Sequence, residues 1–131
     1  MSDSSAPQPD LLYAELTERI RQTAFEIHRY FGNGFLEKVY EGALENRLQK
    51  QGISVHRQAP LRVKDEDGTT VGHYTADLII AGRVLIEIKA TGNLVPEHQA
   101  QLLNYLKTTG IKVGLIINFG NRKLQLKRMA L

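Results

Sequence analysis

The sequence predicts a mixed α/β domain with elements in the order α-α-β-β-β-α-β-β. Three observations predict it. Apolar residues recur at helical spacing in three stretches. Runs rich in β-branched residues, bounded by turn residues, lie between and after those stretches. The length, 131 residues with 42% hydrophobic and 24% charged, suits one ordinary globular core rather than a disordered or fibrous chain.

Leu16, Ile20, Thr23, Ile27 and Phe31 place a first helix over about Leu11 to Tyr30, with Asp10 as its cap and Gly32 and Gly34 ending it. A second helix, about Leu36 to Gln51, carries Leu36, Val39, Tyr40, Ala43, Leu44 and Leu48 on one arc before Gly52. Strands follow over Ile53 to Lys64 and Thr69 to Ile80, around the turn cluster Asp65-Glu66-Asp67-Gly68. Pro60 marks the first of them as an edge strand or a bulged one. A third strand spans Val84 to Ala90. Pro96 opens a third helix that reaches about Thr109, and strands over Val113 to Asn118 and Leu124 to Arg128 flank Gly120-Asn121. Residues 11–131 read as a single domain, and the Ser/Pro-rich Met1 to Asp10 as a short disordered terminus without the features of a signal peptide.

Composition excludes several chemistries. There is no cysteine, hence no disulfide and no thiolate site. His28, His56, His73 and His98 are scattered without zinc-ligand spacing. No apolar run approaches the roughly 20 residues of a membrane helix, so a cytoplasmic protein is expected. The Gly32-Asn33-Gly34 run fails as a dinucleotide fingerprint, because it follows a helix and has Glu37 where a third glycine belongs. Neither a phosphate-binding loop nor a Gly-x-Ser-x-Gly elbow occurs.

Charge is unevenly distributed. Up to Glu97 there are 11 Lys and Arg against all 14 acids; from His98 onward come six bases (Lys107, Lys112, Arg122, Lys123, Lys127, Arg128) and no acid. A basic region of this kind suits a polyanion such as nucleic acid, and an acid-rich remainder can hold a metal.

The pattern of the second and third strands points to a site. In Glu87-Ile88-Lys89, Glu87 and Lys89 share one face because strand side chains alternate. A two-residue loop at Ala81-Gly82 would pair Asp77 with Ile86 and place a charge on the aliphatic face. A three-residue loop, Ala81-Gly82-Arg83, pairs Asp77 with Glu87 and gathers Leu78, Ile80, Val84, Ile86 and Ile88 on the other face. The hydrophobic pattern therefore predicts the longer loop. Two carboxylates facing each other across strands repel, and a divalent cation offsets this; Mg²⁺ takes one or two carboxylates and leaves places for water and phosphate oxygens. Lys89 would orient a water or stabilise developing negative charge. A surface Glu–Lys pair is the plainer reading of the same spacing. Glu37 is predicted to project between Leu44 and Leu48, inside the apolar arc of the second helix, where a carboxylate needs a partner or a metal; a first-turn acid favoured by the helix dipole accounts for it equally well. Gln101 and Tyr105 lie one turn apart on the third helix, with His98 on the same stripe and Leu102, Leu103 and Leu106 on a separate face.

Gly34-Phe35-Leu36-Glu37-Lys38-Val39-Tyr40 matches the pattern that names the GxxExxY family. The similarity continues through Tyr74-x-x-Asp77, Glu87-x-Lys89, Gln101 to Leu106 and Gly114 to Gly120, nearly the whole chain after Asp10. That family is similar to a small branch of the PD-(D/E)XK nuclease superfamily. The resemblance implies a restriction-endonuclease-like α-β-β-β-α-β core, here with an extra N-terminal helix and a final C-terminal strand. It also implies metal ligands at Asp77 and Glu87, a catalytic lysine at Lys89, a supporting helix glutamate at Glu37 as the third acid around the metal, and a Q-x-x-x-Y pair in Gln101 and Tyr105. Ala76 stands where the superfamily label has proline. The expected activity is Mg²⁺- or Mn²⁺-dependent cleavage of nucleic acid, DNA in the first instance, with the C-terminal bases on the substrate backbone and specificity supplied by a homodimer or partner protein. A binding module that retains the fold without turnover is the alternative.

Overall fold

The computed structural model describes residues 13–131. The expected element order is observed. Helix α1 (Ala14–Phe31) begins beside Tyr13, which takes a left-handed φ of 56°; Asp10, the expected cap, lies outside the described residues. At the other end Gly32 takes φ 75° and returns its N–H to the His28 carbonyl, as a helix stop requires. Helix α2 (Glu37–Lys50) follows, then β1 (Val55–Lys64), β2 (Thr70–Ile80), β3 (Val84–Lys89), α3 (Pro96–Thr109), β4 (Val113–Asn118) and β5 (Gln125–Ala130).

The five strands form one sheet in sequence order. All neighbours are antiparallel except β3 and β4, which run parallel through the α3 crossover. β1 is an edge strand, as Pro60 predicts. The three-residue β2–β3 loop is also observed. Leu78 pairs with Ile86 and Ile80 with Val84, while Ala81 and Gly82 both take positive φ (53° and 67°) to reverse the chain.

Helices α1 and α2 cover one face of the sheet. Ile20, Ala24, Ile27, Tyr40, Leu44 and Leu48 bury the expected aliphatic set Leu78, Ile80, Val84, Ile86 and Ile88 together with β4. Helix α3 covers the other face, where Leu102 and Leu106 pack on Leu85 and Ile116. Gly114 permits that approach, since Leu102 lies within 3.0 to 3.2 Å of where a Cβ would sit.

Helix α2 is turned relative to the predicted arc. Tyr40, Glu41, Leu44 and Leu48 are buried, while Leu36 and Val39 are exposed and so is Glu37, which was expected within the arc. Two contacts set this rotation. The Tyr40 ring stacks on Phe119 at 4.5 Å, and Glu41 receives Arg57 and Gln58 from β1, which makes its burial tolerable. Among the described residues no helix is long and apolar enough to cross a membrane.

Candidate active site

The β2–β3 ladder stops at Leu78 and Ile86, and side chains take over the next step. The Asp77 N–H donates to Glu87 Oε2 (3.2 Å), and the Ile88 N–H donates to Asp77 Oδ2 (2.7 Å). On its other side β2 is interrupted at the same residue. Arg57 pairs with Leu78 and Ala59 with Ala76, but the Gln58–Asp77 step between them is missing, and Gln58 adopts a left-handed φ of 52°. Asp77 thus sits where the sheet opens on both sides, and its carboxylate is fixed by the neighbouring strand's backbone.

Electrostatics at this opening are strained. Burial pushes the Glu87 carboxyl up to about 7; the Asp77 charge pushes it the same way, and Tyr74, the Asp77 amide and Lys89 oppose. Burial also raises Asp77, with further contributions from the charges of Glu41 and Glu37, against the Ile88 amide and Lys89. Lys89 is half-buried at the end of β3 and forms no direct ion pair with any described residue, so its charge acts on both acids through space. The Tyr74 hydroxyl is buried close enough to Glu87 to favour its ionised form, yet meets no acceptor in proper hydrogen-bond geometry.

The other predicted residues are placed as follows. Glu37 is exposed at the start of α2 and acts on Asp77 only at a distance. Among the described residues no group of three histidine or acidic side chains is arranged to hold a metal, so the expected three-acid set of Glu37, Asp77 and Glu87 does not converge. Glu37 stays in water because α2 turns Glu41 inward instead. Tyr105 stacks on Tyr74 at 3.5 Å with the rings 9° from parallel, and Gln101 donates to the Tyr105 hydroxyl at 3.5 Å. Tyr74 therefore stands between the Gln101–Tyr105 pair and the carboxylates. His98 accepts from the Val95 N–H at the start of α3.

The C-terminal bases divide by topology. Arg122 and Lys123 are exposed on the β4–β5 turn, at the strand ends marked by the Lys89–Asn118 pair. Lys107 and Lys112 lie at the opposite end, beside the Val84–Val113 pair, because α3 carries the chain back down the sheet. Lys127 is exposed on the edge strand β5, and Arg128 is half-buried there.

Sequence reasoning did not identify four participants. Arg57 Nε donates to Glu41 Oε2 at 2.5 Å and Gln58 to Glu41 Oε1 at 2.9 Å, so both oxygens of this buried acid are engaged. Fully buried Asn118 bonds the Thr91 N–H and carbonyl, the Gly120 N–H and Gln125, which fixes the loop leaving Lys89. A polar residue closing an otherwise apolar strand was the available signal for Asn118. A hollow of about 550 Å³ lined by Tyr13, Arg19, Ile53 and Arg83 lies near the β2–β3 turn, far from these groups.

The donors fit a hard divalent cation. Asp77 and Glu87 offer oxygen only, adjacent and short of positive charge, which suits Mg²⁺ or Mn²⁺. A family model described as the PD-(D/E)XK nuclease superfamily matches residues 14–129, and proteins of that superfamily generally use divalent metals. The crystal structure of SSO0001 superposes with a TM-score of 0.55 at 18% identity, over 92% of this chain and 60% of that one; the fold is thus restriction-endonuclease-like, and the chain spans 60% of that protein's length. No curated protein matches the chain.

Proposed function

The chain belongs to the PD-(D/E)XK nuclease superfamily, and from that premise we propose that it is a divalent-metal-dependent nuclease hydrolysing phosphodiester bonds of nucleic acid, DNA in the first instance. One observation carries the reading: the sheet opens at Asp77 and Glu87, each carboxylate fixed by the other strand's backbone, with Lys89 on the same face as Glu87. Asp77 and Glu87 are the residues that would hold Mg²⁺ or Mn²⁺. When bound, such an ion polarises a phosphoryl oxygen and makes a coordinated water more acidic.

The protein's own groups do the rest. Lys89, which forms no direct ion pair among the described residues, is placed to stabilise negative charge developing on the phosphate. The Tyr74 hydroxyl donates toward Glu87 once that carboxyl ionises, with Tyr105 and Gln101 supporting the Tyr74 ring. Arg122 and Lys123 stand at the same end of the sheet and are the bases assigned to the substrate backbone; Lys107 and Lys112 are too far round to join them. We assign the chain to the GxxExxY branch on Gly34, Glu37 and Tyr40. In that motif Tyr40 holds the α1–α2 loop, donating to the Gly32 carbonyl at 2.6 Å and accepting from the Phe35 N–H at 3.1 Å.

The test is cleavage of plasmid DNA, linear DNA and RNA with Mg²⁺ or Mn²⁺, by the wild-type protein and by Asp77→Ala and Lys89→Ala. Metal-dependent cleavage abolished in both variants is expected. Cleavage that persists in Asp77→Ala would refute the site. Salt-sensitive binding with no cleavage under any divalent metal would instead identify a binding module.

A further inference from the structure

The rim of the site next to α2 carries apolar surface that the fold leaves uncovered. Leu36 is 81% exposed and Phe35 47%, consecutive residues on the loop entering α2, with Val39 exposed one turn on. This is not slack chain. The Phe35 ring is held edge-on by Phe31 (5.6 Å, 87°) and Tyr40 (6.3 Å, 81°), and its N–H is bonded to the Tyr40 hydroxyl. A braced aromatic ring with about half its surface in water, beside a protruding leucine, is a built surface awaiting an apolar face.

Its position ties it to the reaction. Tyr40 stacks on Phe119, whose N–H is bonded to the Lys89 carbonyl at 2.9 Å, and Glu37, the residue after Leu36, acts electrostatically on Asp77. Cations stand on a turn tied to the same helix: His28 on α1 donates to the Asn121 carbonyl at 2.9 Å, which holds the turn bearing exposed Arg122 and Lys123 to the helix that ends at Phe31. A held aromatic with cations on a turn tied to the same helix is the composition of a surface for unpaired nucleic acid, because every base offers a π-face for stacking and the phosphates take the charges. Bases inside a duplex have no free face to offer.

We propose that Phe35 and Leu36 stack an unpaired base next to the bond being cut, so that the substrate is a single strand or the unpaired end of a duplex. This rests on the nuclease reading and narrows its substrate. The experiment compares cleavage of a single-stranded oligonucleotide with that of a blunt duplex of the same sequence, by the wild-type protein, Leu36→Ser and Phe35→Leu/Leu36→Ser. The wild-type protein should prefer the single strand, and the double variant should lose about tenfold on it while its duplex rate is unchanged. Leu36→Ser alters only an exposed side chain and guards against a folding defect in the double variant. Equal cleavage of duplex and single strand, or a preference unaltered in both variants, overturns the inference and leaves the nuclease standing. A change from dimer to monomer in Leu36→Ser with strand preference intact also overturns it, marking the rim as a contact between copies. Absence of cleavage of any substrate by the wild-type protein removes the nuclease reading and this inference together.

Discussion

Replacing Glu87 by glutamine should make the metal-free protein more stable above neutral pH, although it removes a group the proposed chemistry requires. Burial first, and the Asp77 charge second, raise the Glu87 carboxyl from an ordinary 4.5 to about 7. At about 1.4 kcal/mol per pH unit, ionising Glu87 costs the folded state up to about 3 kcal/mol. The sign follows from the direction. The folded protein holds this proton more tightly than the unfolded chain, so the contribution is full below pH 4.5, is lost as pH rises, and is gone above about 7. Glutamine has the same shape, keeps an oxygen for the Asp77 N–H, and carries no charge to desolvate. Urea unfolding of both proteins from pH 5 to 8.5, with chelator present, reads the difference. Groups away from the pair titrate alike in both, so the gap between the two curves reads Glu87 together with its coupling to Asp77. That gap should widen in favour of the variant by about 2 kcal/mol between pH 5 and 8. Parallel curves, or a variant less stable than the wild-type protein at pH 8, would refute the argument.

Mg²⁺ should raise the melting temperature of the wild-type protein, and calorimetry should show the rise abolished in Asp77→Ala; an equal rise in the variant would place the ion elsewhere. Gly120→Ala should destabilise by about 3 kcal/mol or more and depress cleavage, since a Cβ there would lie far inside van der Waals contact with the Ala90–Thr91 backbone, which has no flexible end to yield. Arg57→Ala should cost about 3 kcal/mol in urea unfolding, because it strands the buried Glu41 side chain; a loss under about 0.5 kcal/mol would refute the role given to this pair.

Much of the scaffold was legible because its signals are local or periodic. The β2–β3 register could be chosen from sequence since a slip of one residue would drive Asp77 into the set Leu78, Ile80, Val84, Ile86 and Ile88, and the observed pairing of Leu78 with Ile86 is that choice. Helix α3 was delimited by Pro96 and Gly110 for the same kind of reason. The inward acid of α2 was not legible. Glu37 and Glu41 are four residues apart on similar helical faces, and what buries Glu41 is an arginine 16 residues away on a strand whose backbone turns left-handed at Gln58. No pattern within α2 carries that information. The basic C-terminal third failed for a related reason: nearness in sequence groups Lys107 and Lys112 with Arg122 and Lys123, but the α3 crossover puts the sheet's full length between them.

The same long-range contacts decide where a cation would settle. Asp77 and Glu87 line the opening, and the charges of Glu37 and Glu41 on α2 reach it from a distance. Glu41 is neutralised: both its oxygens are taken by Arg57 and Gln58, and its charge is matched by a guanidinium that Glu41 in turn makes harder to deprotonate. Glu37 is exposed, so water already screens it. Asp77 and Glu87 remain, each raised by burial; a single backbone amide and a non-contacting Lys89 favour the charge of each, with the Tyr74 hydroxyl added at Glu87. The uncompensated negative charge is thus confined to one adjacent pair of carboxylates, at the step where the strand ladder has been given up. A divalent cation gains most there, because ionising both acids without it is the least favourable charge separation in the neighbourhood. The Glu41–Arg57 brace shapes the site by withdrawing one acid from competition while keeping α2 closed over the opening.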